Sequence, residues 1–583
     1  MRNIKSKTIV FLLVLGLLIT GIPVTGAAAY KPPYTTLKVG LHYGTSGDDK
    51  AVPCANLLNA AGSGYEFGYF DSSRNFKSIG ITTAEKGITI LKDKNMVYAP
   101  GSADYISYVE GTNGSSSTQV GCYHIKLKTA YSSYSAMQTT LAKYSNSFPK
   151  YENGSFYVCV GSYTSSSAAT SGAKSLGITS NYEITAGTNY TITVVVTGTN
   201  KIIMEYDCGS GTSAGLGVMP KVSSSIKAQT WFRGYRYYGG FQYARQSSNG
   251  NFVVVNYVSV EDYVKGVLPY EMSASWPKEA LKAQAVCARS YAMKNINKHN
   301  SGYGFDVCST ASCQVYRGLN SANSNSDAAV NETAGQYLFY NGELCETYFH
   351  SSDGGATENS ENVWTAAYGY LRGVKDPYEA TVAGSISNYY WSVTYTGSQL
   401  TTMLKNKGYS CTTIVDCYVS QYTNVGNVYT MTFVDANGKT INFSKNSVTS
   451  FTGIRSQRFT ILGGSKSGTV PTAKDIYVNS SSGVISGGLN GLYAEGSSGT
   501  ATIPTGDVYA ITDSGVEKVQ TQTSGTAATG KMPPKGSFTF TGTGWGHNVG
   551  MSQWGAYSMA KYHNKTYKDI LSFYYTGTQI VTA

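Results

Sequence analysis

Alternating apolar and polar positions predict short β-strands along the N-terminal part of the chain. The pattern is clearest in residues 35–44, TTLKVGLHYG, and short strand-like runs separated by turns continue to about Gly111. A cluster of Gly, Ser and Thr at residues 111–118 then indicates a loop. We therefore expect a β-rich N-terminal segment over residues 30–115.

The pattern changes in residues 116–200, where strand-like runs alternate with runs of helical spacing. The strand-like runs are residues 122–128, 155–160 and 189–196, and the helical runs are residues 135–144 and 166–176. This β-α-β-α-β order predicts a small module whose sheet is covered on one face by helices.

A larger region of mixed helices and strands is predicted over residues 221–583. Residues 251–257 are strand-like, and residues 277–298 predict a helix with Pro277 in its first turn, where the missing N–H costs little. Between Lys282 and Ser290, only Gln284 and Arg289 are strongly polar, so this helix is expected to be buried.

A stretch rich in Gly, Ser and Thr at residues 463–536 contains short strand-like runs and predicts a β-rich insertion. The expected fold class is therefore α+β and multidomain. A mixed α/β region carries the insertion, and the small β-α-β-α-β module precedes it.

The first residues have the pattern of a secretory signal. Arg2, Lys5 and Lys7 precede an apolar run at residues 9–19, and three alanines at residues 27–29 offer a cleavage site. The apolar run is shorter than the roughly 20 residues that span a bilayer. We expect a signal peptide at residues 1–29 and a secreted, extracytoplasmic protein without a membrane span once the signal is cleaved; an uncleaved anchor is the alternative.

The net charge of the chain indicates which class of molecule it binds. The formal net charge is +11, while charged residues make up only 14% of the chain. A modest positive excess outside the cell suits contact with an anionic cell-wall polymer. The absence of basic runs argues against a nucleic-acid partner.

Glu271 is the first candidate for chemistry. It follows Leu268, Pro269 and Tyr270, precedes Met272, and is expected just ahead of a helix rather than inside a regular element. Apolar surroundings raise the pKa of a carboxyl group by penalising its charged form, which suits a general acid working near neutral pH. A capping or salt-bridging role is the alternative.

Arg289 is the second candidate, because a buried arginine requires an anionic or hydrogen-bonding partner. It could hold Glu271 or another carboxylate in place. A structural ion pair away from any site is the alternative.

Two glycine-rich blocks each carry a histidine. Residues 345–364 place His350 at the end of a strand, before small polar residues that include Ser351 and Ser352. Residues 542–559 place His547 among glycines, with a helix expected to begin near Ser552. The second block also holds Trp545, Gln553 and Trp554. Histidine flanked by glycine and tryptophan suits a sugar-binding cleft.

Together these blocks resemble the stage II sporulation protein D (SpoIID)/LytB family. The resemblance covers VNYVSVEDYVKGVLPYEMSASWPKEALKAQAVCARSYAM, FDVCSTASCQVYRG, YFHSSDGGATENSENVW and GWGHNVGMSQWGAYSMAK, in the family's order over residues 230–580. Residues 116–200, with VCVGSYTSSSAATSGAKSLG, resemble a SPOR domain, a module that binds peptidoglycan glycan strands.

The resemblance implies a lytic transglycosylase that cleaves glycan strands stripped of stem peptides to 1,6-anhydro products, with Glu271 as the acid/base. Its setting is either sporulation or general remodelling of the cell wall. No cofactor is required. Other members are enhancers of an N-acetylmuramoyl-L-alanine amidase, so a non-catalytic role beside a cell-wall amidase is the alternative. The expected substrate-binding residues are Tyr270, Arg289, His350, Ser351, Ser352, Trp545, His547 and Gln553.

The number of carboxylates fits this chemistry. Ordinary glycosidases require two carboxylates, whereas a lytic transglycosylase requires one, because the muramic acid 6-hydroxyl attacks within the substrate. Glu261 and Asp262 lie in a strand-like context and are expected to be structural. Glu358 and Glu361 follow the His350 block and are the remaining candidates for a second carboxylate.

The Cys308/Cys313 pair has two interpretations. One branch of the family binds zinc in this region, so Cys308, Cys313 and His299 could be ligands, although no fourth ligand is evident. A Cys308–Cys313 disulfide is the alternative in a secreted chain. The chain also departs from the family's usual pattern at Ser312, Asp353 and Asn548.

Overall fold

A computed structural model describes residues 30–465 and 536–583, except for residues 101–106, 113–117, 208, 212–213 and 224–225. Of residues 466–535 it describes the backbone of four short strands. The expected signal peptide lies outside the described residues. Among the helices that are described, none is long and apolar enough to cross a membrane.

The first part of the chain is built almost entirely of strands. They are β1 (Thr36–His42), β2 (Cys54–Ala61), β3 (Tyr65–Phe70), β4 (Phe76–Thr83), β5 (Gly87–Lys92), β6 (Met96–Tyr98), β7 (Tyr108–Glu110) and β8 (Gln119–Val120).

Helices enter in the next part. The elements are β9 (Tyr123–Leu127), α1 (Tyr134–Leu141), β10 (Ser147–Glu152), β11 (Ser155–Tyr163), α2 (Ser166–Ser175), β12 (Tyr182–Ile184), β13 (Ile192–Val196) and β14 (Ile202–Asp207).

The region from residue 216 to residue 363 contains the longest helices. Its elements are β15 (Leu216–Pro220), β16 (Gln229–Phe232), β17 (Tyr235–Tyr237), β18 (Gly240–Arg245), β19 (Phe252–Ser259), α3 (Val260–Glu271), α4 (Lys278–Lys294), α5 (Asn300–Tyr303), β20 (Val307–Cys308), α6 (Ser324–Glu332), β21 (Gln336–Tyr340), β22 (Glu343–Leu344), β23 (Phe349–His350) and α7 (Ser360–Val363).

The last part returns to strands, with two helices before its final strand. After a 3₁₀ helix (Glu379–Ser385) come β24 (Tyr390–Thr396), α8 (Gly397–Asn406), β25 (Ile414–Tyr422), β26 (Val428–Asp435), β27 (Thr440–Ser444), a second 3₁₀ helix (Lys445–Thr449), β28 (Phe459–Leu462), β29 (Tyr493–Gly496), β30 (Gly499–Thr502), β31 (Tyr509–Thr512), β32 (Gly515–Lys518), β33 (Ser537–Thr543), β34 (Met551–Ser552), α9 (Gln553–Tyr562), α10 (Tyr567–Tyr574) and β35 (Gln579–Thr582).

The chain is α+β, and this prediction is confirmed. Seven strands form one large sheet in the order β20-β1-β19-β18-β15-β3-β4, and ten form another in the order β12-β9-β11-β10-β14-β13-β5-β2-β16-β17. Strand β1 pairs antiparallel with β19 and parallel with β20, so the N-terminal segment shares a sheet with the region after residue 221. The apolar alternation of β1 explains this, because Leu37 and Val39 are fully buried in the common core.

The small module has one strand more than the sequence pattern predicts. Its order is β9-α1-β10-β11-α2-β12, and its strands lie side by side as β12-β9-β11-β10, which is the ferredoxin-like β-α-β-β-α-β arrangement. Strand β10 escapes the pattern because Pro149 and Lys150 interrupt its apolar positions. The run at residues 189–196 is β13, which pairs with β5 and β14 outside the module.

Buried charges lie where the module joins the rest of the sheet. Strand β10 pairs in parallel with β14, and Lys150 stands opposite Glu205. Nε2 of His124 lies 2.9 Å from Oε1 of Glu205, and Nζ of Lys150 lies 3.6 Å from its Oε2. Burial alone would raise the pKa of Glu205, but the two cations lower it to about 2. The junction therefore contains its own counter-ions.

Helix α4 is buried, as its small side chains predict. It is shorter than the predicted helix over residues 277–298, because it begins after Pro277 and ends at Lys294. Ala283, Ala285 and Ala288 are fully buried. The small side chains allow α3, α6, α9, α10 and β21 to pack around α4. Helix α4 is therefore the centre of the region that carries the candidate site.

Glu271 is the last residue of helix α3, so its prediction as a residue outside regular structure is wrong. Ser259 begins the helix by accepting a hydrogen bond from the N–H of Asp262 at 3.2 Å. Pro269 lies in the final turn and does not end the helix. The prediction of a strand-like context for Glu261 and Asp262 is also wrong, because both lie in the first turn of α3, where acidic side chains are favoured.

Arg289 is fully buried and binds Glu261 rather than Glu271. Its Nε donates to Oε1 of Glu261 at 2.9 Å, and its Nη2 donates to Oε2 at 2.7 Å. It also donates to the carbonyl oxygens of Val330 and Gln336, at 3.4 and 3.3 Å. Its prediction as a substrate-binding residue is therefore wrong, because its donors are used inside the core.

A second hydrophobic core lies in residues 390–462 and 537–543. Strands β24, β33 and β28 form one small sheet, and β25, β26 and β27 form another. The expected insertion at residues 463–536 leaves this unit between β28 and β33. Two antiparallel hairpins, β29–β30 and β31–β32, are described within it.

Replacing Glu261 by Gln is expected to lower the free energy of unfolding by about 3 kcal/mol, since Arg289 would stay buried without its anionic partner. Urea unfolding followed by circular dichroism measures the change. The matched control is Glu332→Gln, which removes surface ion pairs with Lys278 and Lys282 and should change stability far less, because exposed ion pairs contribute little. Equal effects of the two substitutions would contradict the role given to Arg289.

Candidate active site

A cleft of about 740 Å³ opens where the end of α3 meets the two histidine blocks. Three segments supply its walls: the C-terminal half of α4 with the cysteine loop, the segment around His350, and the segment around His547. The lining residues are Glu271, Tyr291, Lys298, Ala311, Ser312, Cys313, Val315, Tyr348, Phe349, His350, Ser351, Trp364, Trp545, Gly546, His547 and Gln553.

Glu271 points into this cleft and is held by two hydrogen bonds. Its Oε1 accepts from the backbone N–H of Val315 at 2.8 Å, and its Oε2 accepts from Nε2 of Gln553 at 3.4 Å. Burial raises the pKa of Glu271, although both hydrogen bonds act in the opposite direction. The carboxyl group is therefore fixed in orientation and holds its proton to a higher pH than an ordinary Glu.

The two histidine blocks are joined directly by backbone pairing. Strands β23 and β34 run in parallel, with Phe349 opposite Met551 and His350 opposite Ser552. Gly546 makes the contact possible, because its φ is +134° and a Cβ there would lie 2.7 Å from Cβ of His350. Residues far apart in sequence thus form one wall of the cleft.

Both histidines are neutral near pH 7. Burial lowers the pKa of His547 to about 4, and burial together with the neighbouring His547 lowers the pKa of His350 well below its usual range. Nδ1 of His547 accepts from the N–H of Val549 at 3.1 Å, so its proton lies on Nε2. Nδ1 of His350 donates to the carbonyl of Val549 at 3.3 Å. Neither ring therefore adds charge to the cleft.

Aromatic side chains surround His547. The ring centroid of Trp364 lies 4.9 Å from that of His547 and 4.7 Å from that of Tyr348. Trp545 is 49% exposed at the rim. This combination of aromatic faces and uncharged hydrogen-bonding groups is suited to a sugar.

Ser352 and Tyr270 do not line the cleft, although both were expected to bind substrate. Ser352 is fully buried, and its hydroxyl donates to Glu379. The ring of Tyr270 faces Tyr235, with centroids 6.3 Å apart. The turn after His350 directs Ser351 to the cleft and Ser352 inward, where its N–H donates to the carbonyl of Trp545 at 3.1 Å.

The candidates for a second carboxylate are used elsewhere. Oε2 of Glu358 accepts from Thr423 at 2.6 Å and from Asn427 at 2.9 Å, and Glu361 forms an ion pair with Arg372 at 2.6 Å. Within the described part of the chain, Glu271 is the one carboxylate among the side chains that line this cleft.

Several lining residues escape sequence reasoning. Tyr291 and Lys298 follow the conspicuous part of α4, and Nζ of Lys298 donates to the hydroxyl of Tyr291 at 2.9 Å. Trp364 ends a block that was singled out for its histidine. Arg455 lies in no predicted block, yet its guanidinium stands 4.4 Å from the ring centroid of Trp545. The position of Trp364 at the end of the His350 block was a usable signal; Arg455 offered none.

His299, Cys308 and Cys313 converge at the edge of the cleft. Nε2 of His299 lies 3.3 Å from Sγ of Cys313, and the ligand atoms of the three residues lie within 4.8 Å of one another. Both cysteines are free. Their mutual hydrogen bond lowers the pKa of Cys308 to about 5 and raises that of Cys313. Two cysteine thiolates and an imidazole are ligands that zinc prefers, so Cys313 would lose its proton on binding the metal, and water would complete a tetrahedral site.

The chain is similar to proteins named for sporulation and for amidase enhancement. Residues 248–340 match the family model described as stage II sporulation protein. An uncharacterised protein of Brachyspira hyodysenteriae is 30% identical over 357 residues, which cover 60% of this chain and 73% of that protein. Stage II sporulation protein D of Bacillus subtilis is 27% identical over 345 residues, which cover 56% of this chain and 76% of that protein.

The amidase enhancer of Bacillus subtilis is 31% identical over 324 residues, which cover 55% of this chain. The chain spans 40% of the length of that relative.

Protein purified under reducing conditions is expected to contain about one zinc ion per chain, because three zinc-type donors already lie together. Elemental analysis measures the metal, and Cys313→Ser should remove most of it. The control is Cys411→Ser, which changes a free cysteine outside this cluster and should leave the zinc content unchanged. Metal-free protein that gains two titratable thiols on reduction would indicate the Cys308–Cys313 disulfide instead.

Proposed function

Because this chain belongs to the SpoIID/LytB family, we propose that it is a peptidoglycan lytic transglycosylase that cleaves glycan strands lacking stem peptides. The observation that carries the proposal is the position of Glu271: one half-buried carboxyl group with a raised pKa, in a cleft lined mainly by aromatic and uncharged side chains, with Lys298 as its lining cation. A lytic transglycosylase requires one such group, whereas ordinary glycosidases require two.

In the proposed reaction, Glu271 first donates its proton to the glycosidic oxygen that links muramic acid C1 to the next sugar. The C1–oxygen bond breaks while the 6-hydroxyl of the same muramic acid attacks C1. Glu271 then takes the proton of that hydroxyl, and the C1–O6 bond closes the 1,6-anhydro ring. One proton leaves Glu271 and one returns, so no water is consumed.

The neighbours of Glu271 have supporting roles in this scheme. The N–H of Val315 and the amide of Gln553 orient the carboxyl group and stabilise its anion after proton transfer. His547 is neutral, because burial lowers its pKa, and it therefore does not compete for the proton. Trp545 offers an exposed aromatic face at the rim.

We also propose that the protein acts outside the cytoplasm at the cell wall, on the pattern of a secretory signal in residues 1–29. The ferredoxin-like module within residues 116–200 would then be a second, SPOR-like contact with glycan. Sporulation is the proposed setting, since two relatives are named stage II sporulation protein D.

The second candidate function is non-catalytic stimulation of a cell-wall amidase. Similarity to a protein named amidase enhancer favours it. The two functions differ in what they require of Glu271, because stimulation of a partner enzyme needs no proton transfer in the cleft.

Glu271→Gln is expected to reduce cleavage of stem-peptide-free glycan at least about a hundredfold, because an amide cannot donate and recover the proton. Mass spectrometry of the products measures cleavage, and the wild-type product should be lighter by one water than the hydrolytic one. The fold should survive, since the amide retains the size of the side chain.

Glu343→Gln, on an exposed turn of β22, is the matched control and should cleave normally. Full activity of the Glu271→Gln protein would remove Glu271 from the mechanism. A wild-type protein that yields no product but accelerates an amidase would favour the enhancer function.

The pH profile should report the same group. Since Glu271 must be protonated at the start, kcat/KM is expected to fall as pH rises through its pKa, which lies above the ordinary value of 4.5. His350 and His547 have lowered pKa values and are already neutral there. Initial rates measured from pH 4 to pH 9, with unfolding temperatures at each pH as a control, test this. A rate that increases with pH across the same range would contradict an acid role.

A further inference from the structure

We infer that Arg455 is a specificity residue that binds the free carboxylate of a muramic acid lactyl group, so that the cleft selects glycan whose stem peptide has been removed. The inference rests on the proposed function. It adds the group of the substrate that is recognised and the side chain that recognises it.

Arg455 contacts two residues that line the cleft. Its guanidinium stands 4.4 Å from the ring centroid of Trp545, and its backbone carbonyl accepts from the N–H of Gly546 at 3.0 Å. Both contacts are to residues that line the cleft. Stacking on an indole fixes the plane of a guanidinium and leaves its N–H edge free for a carboxylate.

No acidic side chain neutralises Arg455 in the part of the chain that the structure describes. The other arginines near the cleft differ. Arg289 is paired with Glu261, and Arg372 is paired with Glu361. A half-buried arginine beside an exposed tryptophan therefore has a free bidentate site for an anion.

The charges in and around the cleft also favour binding of an anion. Lys298, which lines the cleft, is a second cation, and it donates to Tyr291 and to the carbonyl of Ser312 rather than to a carboxylate. The single carboxyl group, Glu271, holds its proton to raised pH, and both histidines are neutral. The site is therefore cationic when it is ready for proton donation.

The substrate changes its charge at one place when the stem peptide is removed. In intact peptidoglycan the lactyl group is joined to the peptide by a neutral amide, whereas in stripped glycan it ends in a carboxylate. A planar guanidinium binds a carboxylate through two parallel hydrogen bonds but cannot do so with an amide. Recognition of that carboxylate would distinguish stripped from intact strands without any contact to peptide.

Binding is the sharpest test, because it separates recognition from turnover. The full-length Glu271→Gln protein is titrated by calorimetry with a glycan oligosaccharide bearing free lactyl carboxylates, and with the same oligosaccharide converted to neutral methylamides. Adding Arg455→Gln is expected to weaken binding of the carboxylate form about tenfold to a hundredfold, while binding of the methylamide form changes less than about threefold.

The matched control is Lys407→Gln, which removes a cation stacked 5.4 Å from the ring centroid of Phe451 in the same part of the chain. It should leave both affinities unchanged. An Arg455→Lys protein should keep part of the preference, because the charge remains while the bidentate geometry is lost. Unfolding temperatures establish that each variant is folded.

Equal weakening of both oligosaccharides by Arg455→Gln would overturn the inference, since Arg455 would then act only by supporting Trp545. No weakening of either would also overturn it. In both cases the proposed function stands, because glycan is bound. Failure of the Glu271→Gln protein to bind either oligosaccharide would instead overturn the proposed function together with this inference.

Discussion

The buried ion pair between Arg289 and Glu261 fixes the elements from which the cleft is made. Arg289 lies on the central helix α4 and donates two hydrogen bonds to Glu261 in the first turn of α3. It also donates to carbonyl oxygens at the end of α6 and at the start of β21. A charged group is stable at such depth only when its hydrogen bonds are complete. The need to complete the hydrogen bonds of Arg289 therefore fixes the position of α3 relative to α4. Because Glu271 is the last residue of α3, its position is fixed as well.

The environment, rather than the residue type, determines which groups in the cleft carry charge. Burial favours the neutral form of an acid and of an imidazole alike, so it raises the pKa of Glu271 and lowers those of His350 and His547. At the junction between the ferredoxin-like module and the rest of the sheet, burial is outweighed by nearby positive charge. His124 and Lys150 lower the pKa of Glu205 there and keep it ionised. A carboxyl group that favours its protonated form and a structural ionic cluster thus arise in one chain from different balances of burial and charge.

Sequence patterns predicted the elements well where apolar positions are regular and failed where one residue disturbs the pattern. The α+β class and the buried helix around Ala285 were predictable, because side-chain size and period report packing directly. Strand β10 was not predicted, because Pro149 interrupts its apolar pattern. Glu271 was not predicted to be helical, because Pro269 precedes it. The partner of Arg289 could not be chosen among several carboxylates, because a local pattern contains no tertiary distances. Arg455 was missed for the same reason.

The pairing of β23 with β34 has a consequence for the order in which the chain folds. This contact closes a loop of nearly two hundred residues, as does the hydrogen bond from His350 to Val549, whose sequence separation is 199. Contacts of such separation form late, because the entropy of a long loop must be offset by structure already present. A nascent or C-terminally clipped chain has half a cleft: Glu271 is present, but Gln553 and His547 are missing. Formation of the complete cleft is therefore coupled to synthesis of the chain as far as the segment that contains β34 and α9.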